Sequence, residues 1–261
     1  GPSYDPKEYP EEWERFVTFT QNQIMELGSR YGQIDGMWFD AGWVCKENGQ
    51  DIRLGEVIER VRKFQPGMLC ADRTIGGPYE NYVTPEQCVP EEPLMIPWES
   101  CITLSNDWGW VPNAPYKSAT KVIGMLAEIT AKGGCLLLGV SPTPQGLIEQ
   151  PVIDRLHAVG EWLRANGQAI YNTALTPYYQ DGNIWFTADK DGKTLYAIYA
   201  LPDGEQLPEE LTWSTNVPKG KMTILANGKR ASYKVDGDKV TVTLPKGLPD
   251  QPLVLKFALK K

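Results

Sequence analysis

The chain has 261 residues, 41% hydrophobic and 23% charged, a globular composition with length for one large or two ordinary domains. A net charge of −7 without a basic run argues against nucleic acid or an anionic membrane surface as partner, and no apolar run is long enough to span a bilayer. A lone histidine, His157, and five cysteines without a CxxC pair exclude HExxH chemistry and argue against a zinc cluster or disulfide framework; no GxSxG, GxGxxG or P-loop is present, so no metal or cofactor is expected.

The first ten residues, GPSYDPKEYP, are polar and Pro-rich and hold no signal-peptide core. Residues 10–30 then place Trp13, Phe16, Val17, Phe19, Ile24 and Leu27 at three- and four-residue spacings, which predicts a helix with one broad apolar face, Trp13 and Phe16 being core. After Gly32 the run Ile34, Met37, Trp38, Phe39 predicts a short strand with Asp40 at its C-terminal end. In a parallel barrel such an acid faces the pocket mouth. Its ordinary alternative is the cap of a turn. Trp38, Phe39 and Trp43 around it supply flat apolar walls that suit a sugar ring.

Residues 54–64 (LGEVIERVRKF) predict a second helix stopped by Pro66-Gly67, and residues 68–71 a second strand that delivers Asp72-Arg73. Residues 74–97 form a long Gly-, Pro- and Glu-rich loop. A third strand is expected near 98–104, followed by an aromatic loop (DWGW, 107–110), a helix over 118–131, a strand over 134–140 and a helix over 149–165 that ends at Asn166-Gly167. This βα rhythm is that of a parallel sheet, and three strand ends run into loops carrying Asp40, Arg73 and Trp108. His157, in the middle of the last helix, is structural. Residues 171–177 link to a segment of alternating strands whose Asn227-Gly228 and Asp236-Gly237 are hairpin signals, giving an antiparallel, sandwich-like all-β part.

Seven segments in register resemble the α-L-fucosidases of glycoside hydrolase family 29. They are WFDAGW (38–43), CADR (70–73), YVTPEQ (82–87), PWESC (97–101), NDWGW (106–110), KGGCLLLGVSPTPQGLI (132–148) and EWLRANGQAIYNT (161–173). The resemblance implies an enzyme that releases terminal α-L-fucose with retention. Asp40 would be the nucleophile and Glu86 the general acid/base, with Glu99 as alternative; Arg73, Trp38 and Trp108 would line the sugar subsite. A retaining glycosidase needs one ionised and one protonated carboxyl roughly 5–5.5 Å apart, and Arg73 would favour the ionised form of Asp40. Taken alone, each residue has a plainer reading. Thr84-Pro85-Glu86 fits a helix start, Glu99 a buried hydrogen bond or ion pair, Arg73 a pair with Asp72 or a neighbouring acid, and the two indoles ordinary packing.

A complete (β/α)8 barrel takes about 250 residues, whereas the βα portion here has four strands and stops near residue 171. The expected fold is therefore α/β, the C-terminal half of a TIM-like barrel over residues 1–174 and a β-sandwich over 175–261. A fucosylated glycan is the expected ligand, and the N-terminal barrel half or a second copy the expected partner. Family members act on glycans outside the cytosol, which implies a secreted or periplasmic location. The alternative function is a non-catalytic carbohydrate-binding or interaction protein with an incomplete pocket.

Overall fold

A computed structural model describes residues 5–40 and 44–259 as a mixed α/β protein. Trp43 lies outside the described residues. Two compact units emerge, Gly1–Thr84 with Met95–Trp98, and Pro85–Leu94 with Glu99–Lys261.

In the first unit, helix α1 (Pro10–Arg30) begins with a proline at N1, carries Glu11 and Glu12 in its first turn and closes on Arg30, so its end charges complement the helix dipole. It buries Trp13, Val17, Ile24 and Gly28 against α2 (Leu54–Val61), which contributes Val57, Ile58 and Val61. Phe16 is 37% exposed at the edge of this core, its ring 5.5 Å from that of Trp13, rather than buried in it as expected. Helix α2 stops a residue before Arg62 and continues as a turn, three residues short of the predicted end, because Pro66 disfavours helix in what precedes it. Strands β1 (Gly36–Phe39) and β2 (Leu69–Asp72) pair in parallel, Gly36 opposite Leu69 and Phe39 opposite Asp72. Met37 and Phe39 face the helices, while Gly36 and Trp38, on the alternate face, are exposed.

The second unit contains β3 (Glu99–Thr103), α3 (Ala119–Ala131), β4 (Cys135–Gly139) and α4 (Gln150–Asn166), with β3 and β4 parallel in the same sense. Ser118 caps α3 by accepting a hydrogen bond from Lys121 N at 3.0 Å. As on β1, one face of β4 is bare, Cys135 and Leu137 being exposed. Among the described residues β1 pairs only with β2, and β4 only with β3. The predicted 74–97 loop is not wholly irregular. Val83 bridges Trp98 in the first unit and Glu86 bridges Cys101 in the second, both in parallel sense.

The linker at 171–177 includes a short strand, β5 (Thr173–Ala174), which joins a nine-stranded sheet with β6 (Gln180–Asp181), β7 (Ile184–Asp189), β8 (Thr194–Tyr199), β9 (Glu210–Ser214), β10 (Pro218–Ile224), β11 (Arg230–Asp236), β12 (Lys239–Thr243) and β13 (Leu253–Leu259). Gly228 and Gly237, at φ 70° and 59°, turn the β10–β11 and β11–β12 hairpins as predicted. The sheet has two apolar layers. Phe186, Leu195, Ala197, Trp213 and Phe257 pack on one side, with Trp213 stacked on Phe257 at 5.9 Å. On the other, Trp185, Tyr196, Ile198 and Val254 pack under Ile123 and Ala127 of α3 and Trp162 of α4. Strands β7, β8 and β13 are thus covered on both faces.

Candidate active site

The register of β1 on β2 accounts for the first cluster. With Phe39 opposite Asp72, the next residue on each strand, Asp40 and Arg73, emerges side by side at the same C-terminal end. Arg73 N donates to Phe39 O at 3.0 Å and extends the ladder by one step. The Arg73 Nε lies 3.6 Å from Asp40 Oδ1, and its guanidinium stands 5.0 Å from the centre of the Trp38 ring. Trp38 precedes Asp40 by two residues, which is the strand repeat. The Asp40 side chain is 56% exposed and that of Arg73 22%, so the pair contributes at most about 1 kcal/mol to stability. Its consequence is orientation: the cation is held between an indole face and a carboxylate, both at the strand tip.

The acid beside Arg73 is Asp40, so the plainer reading of a pair with a neighbouring acid also fits. The buried Asp72 carboxylate accepts four hydrogen bonds, from Thr74 N at 2.8 Å and Thr74 Oγ1 at 2.6 Å on one oxygen, and from Gly76 N at 2.9 Å and the Tyr79 hydroxyl at 2.6 Å on the other. Burial, then the bond to Asp72, pushes the Tyr79 pKa upward, so the phenol stays a donor. Burial also raises Glu80, whose carboxylate accepts from Asp72 N at 3.3 Å. These bonds close residues 72–80, Arg73 among them, into a loop. Sequence reasoning missed this arrangement, although Asp-x-Thr-x-Gly is a turn signature that an Asp side chain commonly organises.

A second cluster belongs to the other unit. Glu86 is in extended backbone opposite Cys101, so the helix-start alternative does not hold. Its Oε1 accepts a hydrogen bond from Trp108 Nε1 at 2.9 Å. The next residue, Gln87, has φ 53° and is tied to the end of β3: Gln87 Nε2 donates to Thr103 Oγ1 at 3.1 Å, and Thr103 N donates to Gln87 Oε1 at 3.2 Å. Glu99 is the first residue of β3, opposite Cys135 at the start of β4, and so occupies the strand end away from Thr103 and the Trp108 loop.

The loop carrying Trp108 is pinned from both sides. Lys117 Nζ donates to Thr103 O at 2.6 Å and Ser105 O at 2.9 Å, with its pKa lowered by burial and then by Lys121. Glu149 Oε2 accepts from the Tyr116 hydroxyl at 2.7 Å and Trp110 Nε1 at 2.9 Å, and these donors, Tyr116 foremost, hold its carboxyl below the ordinary range. Neither anchor was visible in the sequence, since Glu149 reaches back more than thirty residues. His157 is exposed on α4.

The structure therefore brings Asp40, Arg73 and Trp38 together in one unit, and Glu86 and Trp108 together in the other. Residues 2–168 match the family profile described as alpha-L-fucosidase. Human tissue alpha-L-fucosidase is 31% identical over 263 residues, covering 92% of this chain and 53% of its own length; human plasma alpha-L-fucosidase is 27% identical over 252 residues, covering 92% and 51%. The chain thus spans about half the length of these relatives. Among solved structures, alpha-L-fucosidase isoenzyme 1 from Paenibacillus thiaminolyticus superposes with a TM-score of 0.80 at 28% identity, over 95% of this chain and 63% of that one. The Thermotoga maritima alpha-fucosidase gives 0.76 at 27%, over 94% and 57%. Since the profile match alone takes in more than half of the residues, the chain belongs to the α-L-fucosidase family.

Proposed function

We propose that this chain is the catalytic C-terminal portion of a retaining α-L-fucosidase that releases terminal α-L-fucose from glycans or glycoconjugates, with no metal or cofactor. Family membership supports this reading, and one piece of geometry carries it: an acid at a parallel strand tip, beside an arginine that lies over an indole face. Asp40 would attack the anomeric carbon as the bond to the aglycone oxygen breaks, and Glu86 would give that oxygen its proton. Glu86 would then take a proton from the water that displaces Asp40 from the glycosyl ester. Glu99 is the alternative acid/base. Trp38, Trp108 and Arg73 would line the sugar subsite.

The same reading assigns residues 1–174 to the C-terminal half of a (β/α)8 barrel and 175–261 to a β-sandwich. It also calls for a partner, the N-terminal barrel half in cis or as a separate chain, or a second copy. A secreted or periplasmic location fits relatives that include plasma enzymes. The test is turnover of an aryl α-L-fucoside by the chain, alone and with the N-terminal segment supplied. Product is expected in at least one case. Thermal stabilisation by fucose without product in either would favour the non-catalytic binding protein.

A further inference from the structure

Trp108 is 50% exposed, yet three separate elements hold it. Its indole N–H is bonded to Glu86 Oε1 at 2.9 Å, and its backbone carbonyl accepts from Ser141 Oγ at 2.9 Å. The six-membered edge of the ring rests on the end of β4, where a Cβ built on Gly139 would stand 3.4 Å from Trp108 Cζ3. An alanine there would sit at ordinary contact distance, but a branched side chain would drive its extra carbons into the ring. The flanking loop is fastened by Lys117 at one side and by Glu149 at the other. A mere sugar wall needs none of this precision about the indole nitrogen, whereas a hydrogen bond does, because it weakens steeply with misalignment.

We propose that Trp108 is a positioning residue for Glu86, fixing the rotamer of that carboxyl through its indole N–H, and that Gly139 and Ser141 form the seat that holds the indole in place. This rests on Glu86 being the acid/base. The reason lies in the chain itself: Glu86 is exposed, between Pro85 and the left-handed Gln87, and its long side chain has several rotamers open to it. General acid catalysis requires the proton within hydrogen-bond reach of the leaving oxygen, so a wandering carboxyl loses rate even with its pKa unchanged.

Trp108→Phe keeps an aromatic wall and deletes the donor. In the assembly that turns over fucosides, its kcat/KM should fall about 10- to 100-fold for alkyl fucosides, the range set by a hydrogen bond to a charged group. For aryl fucosides with acidic leaving groups, which need little protonation, the fall should be smaller, confined to what the altered sugar wall costs both substrate types. Gly139→Val should reproduce that leaving-group dependence, Ser141→Ala more weakly, and in a Glu86→Gly background Trp108→Phe should add nothing to it. An equal fall for both substrate types would overturn the positioning role and leave the fucosidase reading standing; no turnover of either by the unsubstituted chain, both alone and with the N-terminal segment supplied, would instead overturn the fucosidase reading. The hydrogen bond is also read without turnover. In the NMR spectrum of the 261-residue chain, the Trp108 indole proton should move upfield in Glu86→Gln and in Gly139→Val, and an unmoved resonance in both would refute the proposal.

Discussion

Asp40 and Arg73 meet because two parallel strands end in register, and that origin decides what substitution does. On the proposed mechanism, Asp40→Asn should leave the ladder and the Trp38–Arg73 stack intact but be unable to form the glycosyl ester. Turnover by the active assembly should drop by several orders of magnitude with the thermal midpoint near that of the parent. Near-normal kinetics in that variant would remove Asp40 from the nucleophile role. For the acid/base, Glu86→Gly should be rescued by azide and be mild for substrates with good leaving groups, since the missing proton matters least there. Were Glu99→Gly to show this pattern and Glu86→Gly not, the assignment would pass to Glu99. Asp40, Arg73 and their strand ends were legible in the sequence because a turn, a short apolar run and a charged residue follow one another within a few positions. The indole bond to Glu86 was not, since it joins residues 22 apart through a loop without periodicity.

At the scale of elements, the 105–117 loop depends on a carboxylate from another segment. Tyr116 and then Trp110 donate to Glu149 and favour its ionised form, so its folded pKa lies below the ordinary 4.5. The stabilisation is complete above that value and disappears as pH falls through the depressed folded pKa. Hydrogen exchange at the Trp110 indole should therefore accelerate on acidification below about pH 4.5. Glu149→Gln should exchange faster at neutral pH and lose that acid dependence; identical profiles would show that the carboxylate does not anchor the loop. Helix and strand order was readable from apolar spacing, with boundaries off by one to three residues. What spacing cannot supply is cover. Phe16 lies near the apolar stripe of α1, yet α2 packs on Trp13, Val17, Ile24 and Gly28 and leaves it exposed. The extended pieces at 83 and 86 were hidden for a related reason, being single bridges that a Pro-rich composition disguises as loop.

For the whole molecule, the alternate faces of β1 and β4 are the feature to explain. Trp38 is 37% exposed and Leu137 46%, on strands that each have one partner among the described residues. Parallel strands are ordinarily covered on both faces. We expect the purified chain either to self-associate or to stay inactive until the N-terminal barrel half is supplied, through an interface of roughly 2,000 Å² or more. Light scattering alongside the fucoside assay checks this, and a fully active monomer would overturn the half-barrel reading.

The two-sided burial of β7, β8 and β13 bears on whether the β part behaves as a detachable cassette. Trp162 of α4 donates its indole N–H to Pro252 O at 2.7 Å, and Trp185 and Tyr196 pack in the same layer as α3 and α4. The connecting peptide meanwhile offers exposed Tyr171 and Leu175 to a protease. Nicking there would sever the chain without parting the pieces. The cut protein should elute as one species by size exclusion and separate only in denaturant, while an expressed piece ending at residue 174 should precipitate for want of its apolar floor. Ready release of the nicked β part under native conditions would show that this shared layer adds little to cohesion. Inheritance would feel the same constraint: α3 and α4 cannot change their inner faces unless β7, β8 and β13 change with them.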